Sequence, residues 1–142
     1  MSQRHFRRAI EADIAAMAAL RLSVRENRLS DPSRVTLADY HDYLERLGRG
    51  WVCEIDGVLA GFSYADKRDG SIWALFVDPT LEGRGIGKGL LALAVDYLFS
   101  LGHASVVLST GADTRADAFY AAQGWIRSVS PNQSEVRYAL LR

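Results

Sequence analysis

Hydrophobic spacing divides the chain into eleven segments. His5–Ala9 reads as a short strand. Glu11–Glu26 carries Ile14, Met17, Leu20 (or Arg21) and Val24 at three-to-four spacing, which predicts a helix. The stretch NRLSDPSRV, with Pro32 and polar turn formers, ends that pattern. A second helix is expected in VTLADYHDYLERLG, with Thr36 as N-cap, Asp39 as the acidic third residue and Gly48 as the stop. Asp56-Gly57 and Asp69-Gly70 are hairpin signals, so Trp51–Ile55, Val58–Lys67 and Ser71–Val77 form three consecutive antiparallel strands. Ile86, Leu90, Leu91, Val95, Leu98 and Phe99 mark one face of a helix that closes near Gly102. Ala104–Ser109 is a buried-type strand and Arg115–Gln123 a short helix. Trp125–Val129 and Glu135–Leu141 form a last strand pair. The order βααβββαβαββ predicts an α+β fold on a central sheet of mixed direction.

Composition narrows the classes of function. The 142 residues suit one domain, residues 1–142, with no repeat or linker. Net charge is zero, which gives no electrostatic footprint for nucleic acid or an anionic membrane. No apolar run reaches the length of a membrane span, and Glu11 and Asp13 interrupt any signal-peptide core at the basic N-terminus. A single cysteine, Cys53, excludes an internal disulfide, and His5, His41 and His103 show no ligand spacing. A reducing cytoplasm and a metal-free site are therefore expected. The chemistry falls to carboxylates, hydroxyls, backbone donors and a borrowed cofactor.

The densest signal is EGRGIGKG, Glu82–Gly89, between the strand SIWALFV and the helix LLALAVDYLF. Glycine permits positive φ and brings the backbone close to a ligand. The helix that follows presents unpaired N–H groups at the positive end of its dipole, so the junction predicts a phosphate site with Arg84 and Lys88 at its rim. Two familiar phosphate loops fail on spacing. Gly83 reaches Gly87-Lys88 across three residues instead of four, and Gly89 replaces the hydroxyl a P-loop needs. GxGxxG from Gly85 would need glycine at Leu90, and from Gly83 at Lys88.

LFVDPTLEGRGIGKGLL resembles the acetyl-CoA-binding motif of the Gcn5-related N-acetyltransferases (GNAT), [QR]-x-x-G-x-[GA] after a strand ending in V-x-P. Val77-Asp78-Pro79 matches the strand end, Gly85 and Gly87 match the motif, and Glu82 departs from its Gln or Arg. DTRADAFYAAQGW is similar to the family's later motif, N-x-x-A-x-x-x-Y-x-x-x-G-[FY]. Ala116, Tyr120 and Gly124 match, while Asp113 stands for Asn and Trp125 for Phe. The resemblance implies a mixed, mainly antiparallel sheet with helices on both faces. It also implies acetyl-CoA as acyl donor and direct transfer of acetyl to a primary amine of a small molecule or peptide. Relatives are often homodimers through strands near the C-terminus.

From the same resemblance, a bulge in Ser71–Val77 would splay that strand from Ser105–Ser109 and leave a gap for pantetheine. The backbone of Leu75, Phe76 and Val77 would line it. The diphosphate would sit on the N–H groups of Arg84, Gly85, Ile86, Gly87, Lys88 and Gly89, with Glu82, Gly83, Asp113 and Arg115 around it. Arg115 reads equally as a solvated first-turn residue. Tyr120 is the candidate acid for the departing thiolate, a phenol of pKa about 10 against a thiol of about 8.5; the other reading is a half-buried core aromatic beside Phe119. SIWALFV holds no carboxylate, so Glu26 is the first candidate base, ahead of Asp31, Asp66, Asp113 and a water relay. Glu26 also reads as a helix-end charge pairing with Arg25 or Arg28. Cys53, His41, Trp51, Trp73 and Trp125 are expected to be structural. The missing strand carboxylate and Glu82 leave a non-catalytic acyl-CoA-binding module as the second reading. A nucleotide-dependent kinase or oxidoreductase is disfavoured by the failed spacings.

Overall fold

A computed structural model describes residues 4–23, 37–129 and 134–142. In chain order the elements are β1 (Arg4–Arg8), α1 (Ile14–Ser23), α2 (Leu37–Asp42), β2 (Gly48–Ile55), β3 (Val58–Asp66), β4 (Ser71–Val77), α3 (Ile86–Ser100), β5 (Ser105–Gly111), α4 (Arg115–Ala122), β6 (Ile126–Val129) and β7 (Glu135–Leu141). Short 3₁₀ turns at Glu11–Asp13 and Pro79–Leu81 lead into α1 and toward α3. The predicted order is observed, and the seven strands form one sheet in the order β1-β2-β3-β4-β5-β7-β6.

Every neighbouring pair is antiparallel except β4 and β5. The β2–β3 hairpin turns on Asp56 and Gly57, both at positive φ (52° and 82°), the geometry a tight two-residue turn requires. The first helix begins later than its apolar spacing suggests because Glu11–Asp13 winds as a tighter turn. There the Asp13 carboxylate accepts from the Ile10 N–H (2.8 Å) and from two nitrogens of Arg7 (2.8 Å each). Arg7 also donates to Glu54 on β2 (2.7 Å), tying the edge strand to its neighbour. Thr36 lies outside the described residues. Gly48 is a correction: α2 ends at Asp42, and Gly48 instead opens β2, where a Cβ would lie 1.7 Å from the Ala65 carbonyl oxygen. A close backbone approach, not a helix stop, requires that glycine.

The sheet separates two cores. On one face α1 and α2 cover Val52, Phe62, Tyr64, Ala74 and Phe76, with Met17 and Tyr40 fully inside. On the other, α3 and α4 cover Trp51, Ile72, Val106, Leu108, Val136 and Tyr138, and Leu90, Ala94 and Leu98 are completely buried. Each such leucine contributes about 1.5–3 kcal/mol by leaving water. Helix α3 is also fixed in depth by the Ser63 hydroxyl, which donates to the Leu90 carbonyl (3.0 Å).

The irregularity that shapes the molecule lies in β4. Tyr64 faces Ala74 and Ala65 faces Ile72, so Trp73 is an extra residue with no partner on β3. Ile72 belongs to the α3 side, and Trp73 and Ala74 both belong to the α1–α2 side. Two successive side chains on one face are what an inserted residue produces, with a bend in the strand. Before it, β4 and β5 share their one register pair, Ser71 with Val107, and past it no further pair forms. The expected bulge and splay are both present.

Candidate functional site

Past the bulge, β4 delivers Leu75, Phe76 and Val77 to the wall of a cavity of about 560 Å³. The loop and first turn of α3 supply Leu81, Glu82, Gly83, Gly85, Ile86, Gly87 and Lys88. Helix α4 closes the far side with Arg115, Ala116, Ala118, Phe119, Tyr120 and Gln123.

The turn out of β4 is held by Asp78, whose N–H donates to the Ala60 carbonyl (2.8 Å). The Asp78 carboxylate accepts from the Thr80 N–H (2.9 Å) and hydroxyl (2.8 Å). Gly83 and Gly85 then take positive φ, 80° and 81°, which reverses the chain into α3. Gly85 is the N-cap and no side chain caps it. The Gly89 N–H is the first to find a helical partner, the Gly85 carbonyl (3.1 Å). The N–H groups of Ile86, Gly87 and Lys88 therefore have no acceptor within the helix, and all three residues line the cavity. An uncapped helix start beside an open cavity is a ready anion site.

Of the sequence-derived residues, Leu75, Phe76, Val77, Glu82, Gly83, Gly85, Ile86, Gly87, Lys88, Arg115 and Tyr120 meet at this cavity. Arg84, Gly89 and Asp113 stand off its wall. Arg84 is exposed, and its carbonyl accepts from the Arg4 guanidinium. Gly89 faces β1, where a Cβ would lie 2.7 Å from the Phe6 ring, so its lack of side chain serves packing. Asp113 is exposed at φ 61°, and its N–H donates to Asp117 (2.8 Å). A left-handed residue just before a helix suits Asn or Asp equally, which accounts for aspartate at that motif position. Glu26 and Asp31 lie outside the described residues. Asp66 is buried at the opposite end of β4's partner strand; burial works against its charge, but the Arg68 side chain and N–H outweigh it and hold the carboxyl below its ordinary value. Among the described residues that line the cavity, Glu82 is the one carboxylate, and it is paired with Arg115. That ion pair joins the glycine loop to the first turn of α4 and balances the negative charge that the departure at position 82 brings to the cradle.

Tyr120 is 5% exposed, between the rings of Phe119, Trp125 and Tyr138 at centroid distances of 5.2, 5.7 and 5.5 Å. Burial pushes its hydroxyl well above the ordinary phenol value, so it stays protonated and has a proton to donate. Its position is set by Asp117 one turn back. That carboxylate accepts from two nitrogens of Arg127 on β6 (3.0 Å each), from the Tyr138 hydroxyl on β7 and from the Asp113 N–H. Thr114 caps the same helix, accepting from the Asp117 N–H (3.2 Å). Sequence reading missed Phe119, Ala118 and Gln123 as wall residues. Their spacing with Arg115 and Tyr120 along α4 is the signal that could have found them.

The residues expected to be structural behave so. Cys53 is fully buried and burial pushes its thiol up. Trp51 and Trp125 are in the core, and Trp73 stacks on Tyr43 at 4.5 Å. His41 lies on the surface opposite Glu11 (3.5 Å). No group of metal-binding side chains occurs among the described residues, and no helix there is long and apolar enough to cross a membrane.

Comparison with known proteins matches this geometry. The sequence profile of the acetyltransferase (GNAT) family covers residues 14–125. A Methanocaldococcus jannaschii protein named an uncharacterized N-acetyltransferase is 34% identical over 98 residues, 56% of this chain and 43% of that one. A mycothiol acetyltransferase of Clavibacter sepedonicus is 35% identical over 101 residues, 63% of this chain and 32% of that one. The chain thus spans less than half the length of these two curated relatives. Among solved structures, the PaiA N-acetyltransferase of Thermoplasma acidophilum in complex with coenzyme A superimposes with a TM-score of 0.83 at 14% identity, covering 99% of both chains. The YncA acetyltransferase of Salmonella typhimurium with acetyl-CoA gives 0.75 at 19%, covering 97% of this chain and 93% of the other. Those two likenesses concern the fold, whereas the profile match spans most of the sequence, both glycine loop and α4 included. The chain belongs to the GNAT family of acetyltransferases.

Proposed function

We propose that this chain is an acetyl-CoA-dependent N-acetyltransferase that acts on a primary amine of a small molecule or peptide. The observation that carries the reading is the uncapped, glycine-built start of α3, opening onto a cavity beside a splayed strand. Family membership and the acetyltransferase names of the relatives support it. The residues present fit the donor. The N–H groups of Ile86, Gly87 and Lys88 would hold its diphosphate, with the Lys88 ammonium nearby, and the β4 main chain from Leu75 to Val77 would run along pantetheine. Bound there, acetyl-CoA supplies a thioester carbon for the amine to attack, giving an acetamide and a free thiol, with one proton leaving nitrogen and one reaching sulfur.

The chain's own residues account for the rest. Phe119 and the surrounding apolar wall exclude water, and Tyr120 offers a proton that burial keeps on its oxygen. Glu26 remains the candidate base, as the described cavity wall provides no carboxylate besides the paired Glu82. That same feature favours the second reading, an acyl-CoA-binding module without turnover. The two separate in one assay. Acetyl-CoA should raise the melting temperature in both cases, but thiol release with an amine panel is expected only of the enzyme. Thiol release from none of the amines, with the thermal shift intact, would support the module instead.

Homodimerisation and a reducing cytoplasm belong to the same proposal. Strand β6 is an outer edge of the sheet and exposes Ile126 (57%) and Val129 (63%), a surface suited to a second copy. The lone, buried cysteine suits a reducing compartment.

A further inference from the structure

The start of α3 meets the edge strand β1 at two points. One is the Phe6 ring against Gly89. The other is Arg4, which stands two residues before Phe6 and so on the same face of β1. The Arg4 guanidinium donates to the carbonyl of Arg84, 80 residues later in the chain. One of its nitrogens lies 3.5 Å from where a Cβ on Gly85 would be. Arg4 and Arg84 both stand off the cavity wall, whereas Gly85 is part of it.

This contact fixes a direction. The peptide between Arg84 and Gly85 is trans and planar, so its carbonyl and its N–H point to opposite sides. Strand β1 is an outer edge of the sheet, and the cavity lies three strands away, along β4 and α4. A carbonyl drawn toward β1 turns the Gly85 N–H away from it, to the side on which the cavity lies. Gly85, at φ 81° and ψ 6°, has the conformation of the third residue of a type II turn. The peptide before such a residue has a second stable orientation, that of a type I turn, in which carbonyl and N–H exchange sides. Glycine permits both, so a group that holds the carbonyl selects between them.

We propose that Arg4 is a positioning residue of the donor site: by holding the Arg84 carbonyl it aims the Gly85 N–H at the diphosphate, beside the N–H groups of Ile86, Gly87 and Lys88. This rests on the coenzyme A reading given above and adds the edge strand to it. Arg4 acts through the peptide and not by touching phosphate. A guanidinium suits the task because it stays charged at every working pH. A cation on the carbonyl also polarises the peptide, which strengthens the N–H at its other end as a donor to an anion.

The test titrates the protein calorimetrically with coenzyme A and with dephospho-coenzyme A, which share the diphosphate and differ in the 3′-phosphate. Arg4→Met keeps an apolar stem and donates nothing. It should weaken both ligands alike, on the order of tenfold, as loss of one N–H bond to a charged acceptor implies. Arg4→Lys, which can still donate to the carbonyl, should recover most of that loss. Arg4 is exposed, so the free variants should melt within about 2 °C of wild type. Amide NMR supplies the readout that a merely structural role would not move: the Gly85 N–H signal shifts when either ligand saturates wild type, and that shift shrinks in Arg4→Met. Weakening of coenzyme A alone would place Arg4 on the 3′-phosphate and overturn the inference. Unchanged affinity for both ligands would also overturn it, as would a Gly85 signal that stays still in saturated wild type. If Arg4→Met does not fold, Arg4→Lys and the wild-type Gly85 signal decide. Binding of neither ligand to wild type would instead overturn the donor reading, and this inference with it.

Discussion

At the scale of single residues, Tyr120 and Asp117 divide chemistry from placement. Tyr120→Phe keeps the ring among Phe119, Trp125 and Tyr138 and removes the hydroxyl proposed to protonate the thiolate. Turnover is expected to fall on the order of 100-fold, with the acetyl-CoA dissociation constant within about a factor of two. Steady-state kinetics and calorimetric titration check it, and unchanged turnover would remove Tyr120 from the mechanism. Asp117 acts through stability. Hydrogen bonds from Arg127 first, then from Tyr138 and the Asp113 N–H, outweigh the cost of burial and hold its carboxyl far below the 3.8 of a free aspartate. A depressed folded pKa contributes stability above the unfolded value, lost as pH falls toward the folded one. Asp117→Asn should therefore be less stable at pH 7, by on the order of 1–3 kcal/mol, and melt lower. The gap should narrow below about pH 4. Thermal unfolding from pH 7 to pH 2.5 reads both, and a gap constant with pH would contradict the assignment.

At the scale of elements, the start of α3 is the decisive feature. Gly85 sits at φ 81°, where any Cβ strains the backbone although the nearest atom to it, an Arg4 nitrogen, is 3.5 Å away. Gly85→Ala should cost about 1–2 kcal/mol of stability, measured by chemical unfolding. It should also weaken acetyl-CoA binding, because the reversal that aims the N–H groups of Ile86–Lys88 at the cavity is disturbed. Loss of stability with full affinity would separate the turn from the site. How much of this was legible in sequence depends on the range of the contact concerned. Gly83 and Gly85 owe their identity to local φ, so spacing found them, as it found the strand–loop–helix order and the Asp56-Gly57 hairpin. Gly89 answers to Phe6 and Gly48 to Ala65, partners remote in sequence, and no local pattern reveals them. The bulge at Trp73 is equally silent, since SIWALFV is an unbroken apolar run after its serine; the family resemblance, not the periodicity, implied a bulge within Ser71–Val77.

At the scale of the whole molecule, the site is a product of sheet topology. A parallel pair joined at one register point, between antiparallel neighbours, opens toward the ends of β4 and β5. Helix α3 starts at the β4 side of that opening, while Asp117 fixes α4 to β6 and β7 across it. The sequence carried the order of elements but not this closure. The Glu82–Arg115 and Asp117–Arg127–Tyr138 links join segments 10 to 33 residues apart, and Asp117 had no reason to stand out before its partners were seen. The opening, the uncapped helix and the clamped α4 together form the one cavity proposed to hold the donor. Its most direct test is a titration of the labelled protein with coenzyme A, following backbone amide resonances by NMR. The N–H signals of Ile86, Gly87 and Lys88 are expected to move furthest and to saturate together with those of Leu75–Val77. If coenzyme A binds and the Ile86–Lys88 amides stay still while shifts gather elsewhere, the claim that these main-chain donors grip its diphosphate is wrong.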